Sequence, residues 1–405
     1  MRTIVVLFTR DLRLHDNVAL ATAANVADRI VPLYVHDPAD RHSPHRERFL
    51  AECLSNLRDS LRDKGADLLI RVGDRADTAL SVCHDVRASG IAMMEDYGQK
   101  FHRWRSRLAH GASEVGAPLR TFPGVTVVNP GELLPSSGGS HYRVFTPYWR
   151  AWEATTWRPM AQAPDRLHLP EDIEGNDPRE IWGEQEANSV FPGGESAALD
   201  RSEKWLRTAG QYSASHDDLG ADGTSRLSPY LHFGCLSARA LAEDEWAPDA
   251  MVRQLCWRDF YHQVLAAFPT LDTDPYRPQA HDTWDSDPEL LRAWQTGNTG
   301  VDIVDAGMRQ LLAQGWMHNR ARLITASYLT KVEGLDWRRG AEWFDQHLLD
   351  ADVANNYGNW QWVAGTGNDT KPYRRFNPRR QAERFDPVRA YRDQWLPADY
   401  QSTHE

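Results

Sequence analysis

The feature that most constrains this chain is a regular alternation of strand and helix patterns that stops near residue 128. Up to that point, short apolar runs typical of buried strands are separated by stretches with helical apolar spacing, such as Phe49 to Leu61. This order predicts a parallel sheet with helices on both faces, with strands at residues 4–8, 29–36, 67–72, 91–95 and 125–128. Neither G-x-G-x-x-G nor G-x-x-x-x-G-K follows the first strand, so the sequence indicates no standard nucleotide site there.

The rest of the chain loses the strand pattern. Breakers such as Asn129-Pro130-Gly131 predict an irregular connector, which contains one helix near residues 148–154. Helical spacing then continues over residues 197–209, 237–245, 251–267, 288–296, 303–313 and 318–331. We therefore expect an α/β N-terminal domain (residues 1–130) with a Rossmann-like, parallel five-stranded sheet, a connector (131–199) and an all-α C-terminal domain (200–405).

Composition excludes several classes of protein. The net charge of −11 argues against a protein covered in nucleic acid, although a local basic patch is compatible with it. The 4 cysteines are scattered without a C-x-x-C pair, which argues against a disulfide framework or a metal site and favours the cytoplasm. No apolar run is long enough to cross a membrane, and we expect a monomer without membrane contact. The 16 tryptophans indicate either a very aromatic core or rings used for stacking or electron transfer.

Two segments are rich in groups that bind anions or planar polar ligands. Residues 223–234 (GTSRLSPYLHFG) carry Ser and Thr hydroxyls at a turn before a helix, and these hydroxyls either bind phosphate oxygens or cap the helix. Residues 316–322 (WMHNRAR) carry Arg320 and Arg322 on different helix faces, upstream of Asp350 and Asp352. An Arg–Asp pair would fix a planar polar ligand from one side, and ordinary surface ion pairs are the alternative.

Two further segments combine aromatic rings with amides or cations. Residues 355–362 (NNYGNWQW) form a poor helix by propensity, which marks either a functional site or an Asn/Gly loop beside core tryptophans. Residues 371–384 hold six Lys or Arg against one Glu, interleaved with Tyr373 and Phe376. In a chain of negative net charge this concentration is informative and the two rings could stack on bases, although a solvated charged surface is the default for a charge run taken alone.

Together these segments resemble the DNA photolyase/cryptochrome family, most closely its class I cyclobutane pyrimidine dimer photolyases. The resemblance covers almost the whole chain and includes residues 10–17 (RDLRLHDN) after the first strand, 144–149 (VFTPYW) and 257–261 (WRDFY). Separated matches in the same order are far more specific than any one motif. The resemblance implies a bent FAD in the helical domain and an antenna pigment at the α/β domain.

The resemblance also implies which residues contact the flavin. The residues implied on the phosphate and ribitol side are Tyr212, Thr224, Ser225, Arg226, Leu227 and Ser228. Those implied to surround the isoalloxazine and adenine are Trp316, Asn319, Arg322, Asp350 and Asp352. Asn355 is implied to face flavin N5, where a neutral amide hydrogen-bonds the ring without gaining or losing a proton. Plant cryptochromes carry an acid at that position, so Asn355 favours repair.

An electron path and DNA contacts follow from the same resemblance. Trp360, Trp337 and Trp284 match the chain through which an electron hops from the surface to the flavin, and their alternative is a place in the core. Trp257 and Trp362 match the rings that clasp a flipped-out pyrimidine dimer, whose weak stacking lowers the cost of extrusion. The other residues implied to hold the damaged DNA are Gln254, Arg258, Arg320, Arg374, Arg375 and Arg379.

Two positions depart from the usual cyclobutane-dimer enzymes. Gln254 stands where those enzymes have a glutamate, and Leu323 where they have a methionine. Glutamine can donate a hydrogen bond to a thymine carbonyl, but it is not an acid. The (6–4) photolyases also have glutamine there, yet they have a second histidine where this chain has Asn319. We therefore predict light-driven repair of cyclobutane pyrimidine dimers in UV-damaged DNA, with a cryptochrome-like blue-light receptor and a (6–4) photolyase as alternatives.

The antenna pigment is a choice between two molecules that occur in the family. His232 lies where members that bind 8-hydroxy-5-deazaflavin have a polar or basic side chain. The sequence therefore favours 8-hydroxy-5-deazaflavin over methenyltetrahydrofolate.

Overall fold

The computed structural model describes residues 1–40, 43–184, 190–221, 223–369 and 371–402. Its N-terminal part contains the strands β1 (Thr3–Phe8), β2 (Arg29–His36), β3 (Leu69–Val72), β4 (Gly90–Met94) and β5 (Leu119–Phe122). They form one parallel sheet in the order β3-β2-β1-β4-β5. The helices between them are α1 (Val18–Val26), α2 (Pro44–Asp63), α3 (Arg75–Asp85) and α4 (Gln99–Glu114). The predicted fold class is confirmed, because the rest of the described chain is helical.

The central strand β1 has two buried faces, as expected for a parallel sheet covered on both sides. Val5 and Leu7 pack into a core shared with α3 and α4. Ile4, Val6 and Phe8 point to the other face and join a core that includes α1 and α2 and continues into the helical half. The two halves of the chain are therefore joined by one continuous apolar core.

The strand predicted at residues 125–128 is wrong. Val125, Val127 and Val128 are buried, but the backbone N–H groups of Val127 and Val128 each donate to the Asp259 carboxylate at 3.0 Å. The indole N–H of Trp152 donates to the same carboxylate oxygen at 2.9 Å. The run is apolar because it packs against a helix, and apolar periodicity alone does not distinguish that case from a strand.

The connector and the helical half contain the remaining helices. They are α5 (Phe145–Glu153), α6 (Arg179–Trp182), α7 (Glu195–Leu206), α8 (Tyr212–Ser215), α9 (Ser228–Phe233), α10 (Ala238–Glu243), α11 (Asp249–Ala267), α12 (Pro288–Thr296), α13 (Asp302–Gln314), α14 (Asn319–Lys331), α15 (Trp337–His347), α16 (Val353–Ala364), α17 (Pro378–Phe385) and α18 (Ala390–Trp395). The helices predicted from spacing are confirmed, with small shifts at their ends. Residues 185–189 of the predicted connector lie outside the described residues, and the domain boundaries stay predictions.

No helix within the described ranges is long and apolar enough to cross a membrane. The cytoplasmic location and the monomeric state stay predictions from composition.

Helix α16 forms although its sequence has a poor helix propensity. The carboxylate of Asp352 caps it by accepting the backbone N–H of Asn355 at 2.8 Å. The helix packs against α11, and a Cβ at Gly358 would lie 2.3 Å from Cδ1 of Tyr261. A glycine inside the helix is therefore required by the close approach of the Tyr261 ring, and packing with α11 and α15 outweighs propensity.

The loop of residues 10–17 after β1 forms the junction between the two halves. Arg13 is buried there and donates to the carbonyl oxygen of Gly234 at 2.8 Å. The carboxylate of Glu195 accepts the backbone N–H groups of residues 14 and 15 at 2.8 and 2.9 Å. Residues 10–17, which carry part of the family resemblance, therefore form a structural junction whose polar groups bond to the helical half.

We predict that the junction tolerates no side chain at Gly234. The backbone there is left-handed (φ +68°), and a Cβ would lie 1.8 Å from the carbonyl oxygen of Arg10. Gly234→Ala should lower the free energy of unfolding in urea by about 3 kcal/mol or more, since overpacking adds to the left-handed strain. Gly116→Ala is the matched control, because its φ is +72° and nothing lies within 4 Å, so only about 1 kcal/mol is expected. Equal losses in the two variants would contradict a tight junction.

Candidate active site

A cavity of about 490 Å³ lies in the helical half, partly open to solvent, and its volume is in the range of cofactor sites. Most residues predicted to bind flavin or DNA line it. They are Tyr212, Thr224, Ser225, Arg226, Leu227, Ser228, Gln254, Trp257, Arg258, Trp316, Asn319, Arg320, Arg322, Asp350, Asp352, Asn355, Trp360 and Trp362. The other predicted residues, which do not line it, are Trp284, Trp337, Arg374, Arg375 and Arg379. The structure brings the first set together, and their individual roles stay predictions.

The hydroxyl segment before α9 does not cap that helix. The N-cap position is Leu227, and no side chain accepts a hydrogen bond from the first turn. The Ser225 hydroxyl instead accepts the backbone N–H of Leu227 at 3.3 Å. The Thr224 hydroxyl oxygen is buried and has no hydrogen-bond partner among the described residues. The capping alternative is therefore wrong, and Thr224 retains a buried polar atom that a ligand could satisfy.

Trp316 is held between this segment and the cavity. Its indole N–H donates to the Ser228 hydroxyl at 3.3 Å, and the guanidinium carbon of Arg226 lies 4.7 Å from its ring centroid. Arg226 has a positive φ of 51°, which is uncommon for a residue with a side chain. The turn thus places a cation and a hydroxyl on the same tryptophan at the cavity wall.

Arg322 and Asp350 form the Arg–Asp pair that the sequence suggested. The guanidinium donates to one carboxylate oxygen at 2.8 Å and to the Met317 carbonyl oxygen at 2.8 Å. The other carboxylate oxygen of Asp350, Oδ1, is buried and has no partner among the described residues. A buried acceptor without a donor costs free energy, so this oxygen suits a ligand N–H group.

Asp352 connects the cavity to the α/β domain. Its carboxylate accepts hydrogen bonds from Arg10 and lies 3.3 Å from Nε2 of His262. Burial alone would raise the pKa of Asp352, but His262, Arg10 and Arg258 hold that pKa well below its ordinary value. Arg10 also pairs with Asp96 at 3.1 Å. Because Arg10 follows β1 and Asp96 follows β4, the pair lies where the strand order reverses in the sheet.

Two neighbouring asparagines of α16 line the cavity, and sequence reasoning identified only the first. The Asn355 side-chain amide donates to Asp352 at 2.8 Å, and the Asn356 amide donates to the Ala341 carbonyl oxygen at 2.9 Å. Asn356 precedes Trp360 by four residues, so the two share a face of the helix. That spacing is a signal in the sequence by which Asn356 could have been found.

Gln254 and Trp257 lie three residues apart on α11, which places them on neighbouring rows of the same helix face. Both line the cavity, and Gln254 is exposed there. Trp257 is half-buried and stacks on Phe145, with ring centroids 3.6 Å apart and planes 4° apart. The structure therefore presents an amide and an aromatic ring together at the cavity.

The two arginines predicted at the lesion already have protein partners. Arg258 donates to the Val125 carbonyl oxygen at 2.5 Å, and burial lowers its pKa. Its guanidinium joins α11 to the segment after β5, so the structure does not support the predicted DNA contact at Arg258. Arg320 lies 2.6 Å from the Asp217 carboxylate at the cavity wall. Asp217 was not identified from the sequence, because its pairing with Arg320 joins segments far apart in the chain.

The basic segment begins beside Trp362. The guanidinium carbon of Arg374 lies 5.3 Å from the Trp362 ring centroid, and Tyr373 is 94% exposed. Arg375 and Arg379 are also exposed, and Arg379 lies 3.2 Å from Glu383. Exposed cations next to a ring of the cavity suit nucleic-acid binding, and that role stays a prediction.

The three tryptophans of the predicted electron path differ in burial. Trp360 is buried at the cavity wall, Trp337 is fully buried, and Trp284 is half-buried. Asp282 accepts the Trp284 indole N–H at 2.7 Å and pairs with Arg338 at 2.7 Å. The Arg338 guanidinium carbon in turn lies 4.7 Å from the Trp337 ring centroid. The Asp282–Arg338 ion pair thus connects Trp284 with Trp337.

His232 does not lie where the antenna prediction requires it. Its side chain belongs to α9 and lines the same cavity as the predicted flavin contacts. The preference for 8-hydroxy-5-deazaflavin that rested on His232 therefore loses its support.

Both halves of the chain match protein-family models. Residues 4–165 match the model described as DNA photolyase, and residues 251–403 match the model described as FAD binding domain of DNA photolyase. The second match contains α11, α14 and α16, which form much of the cavity wall.

Proteins that align with nearly the whole chain are also photolyases or cryptochromes. A deoxyribodipyrimidine photo-lyase of Streptomyces griseus is 42% identical over 409 residues, which cover 98% of this chain and 90% of that protein. A cryptochrome DASH of Xenopus laevis is 35% identical, with coverage of 98% and 83% respectively. The crystal structure of a bacterial class III photolyase from Agrobacterium tumefaciens matches with a TM-score of 0.90 and 31% identity, over 98% of this chain and 86% of that chain.

Proposed function

The chain belongs to the DNA photolyase/cryptochrome family, and we propose that it uses light to split cyclobutane pyrimidine dimers in DNA. The observation that carries the proposal is the cavity that the candidate flavin contacts share with Trp257 and Trp362, the candidate clasp of the lesion. An electron donor and its acceptor must lie close together, and one shared cavity provides for that. A protein that bound only DNA would need no such space.

The residues around the cavity fit FAD. The buried Thr224 hydroxyl and the Oδ1 atom of Asp350 lack partners among the described residues. A hydroxyl suits a phosphate oxygen, and a carboxylate oxygen suits a ring or amino N–H group. Arg322 would hold the Asp350 carboxylate in place from behind. When bound and reduced, FAD supplies the electron that light transfers to the lesion.

We propose that the asparagines of α16 act at the flavin ring. Asn355 is the expected partner of flavin N5, and Asn356 is a second candidate because it lies above Trp360 on the helix. Both amides donate to protein acceptors, so each has a carbonyl oxygen available to accept a hydrogen bond from a ring N–H. An amide would not release or take up a proton during the reaction.

In the proposed complex, the rings of Trp257 and Trp362 stack on the two linked bases. Stacking on an aromatic ring contributes about 1–3 kcal/mol per base, and a damaged pair costs the least to extrude. Gln254 would donate its amide N–H to a base carbonyl. Asn319, in place of a second histidine, supports the cyclobutane lesion over the (6–4) lesion.

The DNA backbone would follow the exposed basic segment. Arg374 lies over Trp362, and Arg375 and Arg379 are exposed nearby in the chain. Arg320 would contact a phosphate next to the lesion, in competition with Asp217. Arg258 is not part of this proposed set, because its guanidinium is bonded to the protein backbone.

We propose that Trp360, Trp337 and Trp284 return the flavin to its reduced form by passing inward electrons that a thiol or another reductant in solution gives up at the surface. Their order from the cavity wall through the interior to a half-buried position supports this path. The Asp282–Arg338 pair would fix the outer two rings relative to each other.

The repair assay tests the function directly. The flavin-reduced protein, irradiated with blue light, should remove the dimer from an oligonucleotide with one thymine cyclobutane dimer, and it should leave a (6–4) oligonucleotide unchanged. Dark samples are the control. With flavin bound, loss of neither lesion would contradict repair and favour the light-receptor alternative. Loss of the (6–4) lesion alone would favour the second alternative.

The electron path predicts a separate effect. Trp337→Phe should largely abolish photoreduction of the oxidised flavin, and repair by chemically reduced protein should be unchanged, because the lesion does not contact Trp337. Trp294→Phe is the matched control. Trp294 is fully buried like Trp337, and its ring centroid lies 5.9 Å from that of Trp360. Its N–H bonds the Thr325 carbonyl oxygen, whereas Trp337 contacts the Arg338 guanidinium on the way to Trp284. Wild-type photoreduction in Trp337→Phe, measured by absorption, would contradict the path.

We also propose a second pigment at the carboxyl edge of the sheet, where α/β folds bind ligands. Two buried atoms there, the Thr9 hydroxyl oxygen and Nε of Arg105, lack hydrogen-bond partners among the described residues. Arg105 lies 3.8 Å from Glu95, which follows β4. The absorption spectrum of the purified protein distinguishes 8-hydroxy-5-deazaflavin from methenyltetrahydrofolate at this edge.

A further inference from the structure

One face of the Trp257 ring is covered by protein. The Phe145 ring lies parallel to it, with a centroid distance of 3.6 Å and an interplanar angle of 4°. Phe145 is the first residue of α5 and is only 6% exposed, so the ring is fixed by its own packing. A base that stacks on Trp257 must therefore use the opposite face of the indole, since no third ring fits between the two.

This arrangement needs an electrostatic explanation. Two aromatic rings in near-perfect parallel contact bring like quadrupoles together, and offset or edge-to-face pairs are preferred. Arg253 supplies the compensation, because its guanidinium carbon lies 5.0 Å from the Phe145 centroid. Trp257 occupies one face of Phe145, so the cation lies over the other face. A cation there is attracted to the ring and offsets the repulsion between the two π-systems.

The three groups therefore form a stack in the order Arg253, Phe145 and Trp257. Arg253 is exposed and its guanidinium carbon is also 5.6 Å from the Trp149 ring centroid, so α5 supplies two rings to hold it. Trp257 is half-buried, and Phe260 and Tyr261 also contact its ring at centroid distances of 5.6 and 6.0 Å. Phe145 is much nearer, at 3.6 Å, so its loss would give the indole more rotational freedom. Binding a base would then require that freedom to be lost again, which weakens affinity.

We propose that Phe145 and Arg253 are positioning residues for damaged DNA: they fix the face of Trp257 that receives the flipped base. The inference rests on the proposed repair function and adds two residues to it. Neither Phe145 nor Arg253 would touch the lesion, because the Trp257 ring would lie between them and the base. Their loss should therefore weaken binding of the lesion without changing the light-driven step in DNA that is already bound.

The experiment compares binding with photochemistry in the flavin-loaded protein. Phe145→Leu should raise the Kd for a thymine-dimer oligonucleotide about tenfold, since stacking is the interaction at risk. Arg253→Gln should raise that Kd about threefold. Arg253→Lys should keep the wild-type Kd, since lysine keeps a cation over the ring. The Kd for undamaged DNA should not change with Phe145→Leu. The repair yield per absorbed photon at saturating protein should be that of the wild type in all variants.

Arg150→Gln is the charge control, because Arg150 is exposed on the same helix α5 and has no ring contact in the described structure. A loss of dimer affinity in Arg150→Gln as large as in Arg253→Gln would overturn the stack, since net charge alone would explain it. Wild-type dimer affinity in both Phe145→Leu and Arg253→Gln would also overturn it. Arg253→Gln keeps the test valid if Phe145→Leu fails to fold. If the wild type itself binds dimer no better than undamaged DNA, the proposed function fails, and the stack fails with it.

Discussion

The carboxylate of Asp352 is the interaction on which the site depends. It accepts hydrogen bonds from Arg10 of the α/β domain, lies next to His262 of α11, and caps the first turn of α16. A buried charge is tolerated only when it is paired, and here Arg10 of the α/β half pairs with it while Arg258 of the helical half adds positive charge nearby. The contact that closes the domain junction therefore also fixes the start of α16. That helix carries Asn355, Asn356, Trp360 and Trp362 into the cavity.

Most of the fold could be predicted from apolar spacing, but the fifth strand was expected at residues 125–128 and lies at Leu119–Phe122. Residues 125–128 have the composition of a strand, but their backbone N–H groups bond to Asp259 instead of a neighbouring strand. Residues 355–362 have the composition of a loop, but Asp352 and Tyr261 stabilise them as a helix. Asp259 and Tyr261 lie far away in the sequence from the segments that they contact, and local patterns do not contain that information. The Asp352 cap of α16, by contrast, is local.

The residues of the candidate site also divide into those that local sequence indicates and those that only distant contacts reveal. Those that lie together in short segments, such as Thr224 to Ser228, could be predicted because the family resemblance is local. Phe145, Arg253 and Asp217 were missed because their importance comes only from what they contact across the fold. The backbone bond of Arg258 to Val125 could not be foreseen for the same reason, since the resemblance gave only a DNA contact for this residue.

Flavin affinity in an Arg10→Gln variant tests most directly whether the Asp352 junction shapes the cavity. Arg58→Gln is the matched control, because Arg58 and Asp67 form a partly buried pair at 2.7 Å that lies away from the cavity. Arg10→Gln should raise the Kd for FAD about tenfold or more, a modest part of the roughly 3–5 kcal/mol cost of breaking a buried ion pair. Arg58→Gln should bind FAD as the wild type does. Equal FAD affinity in the wild type and both variants would contradict the account.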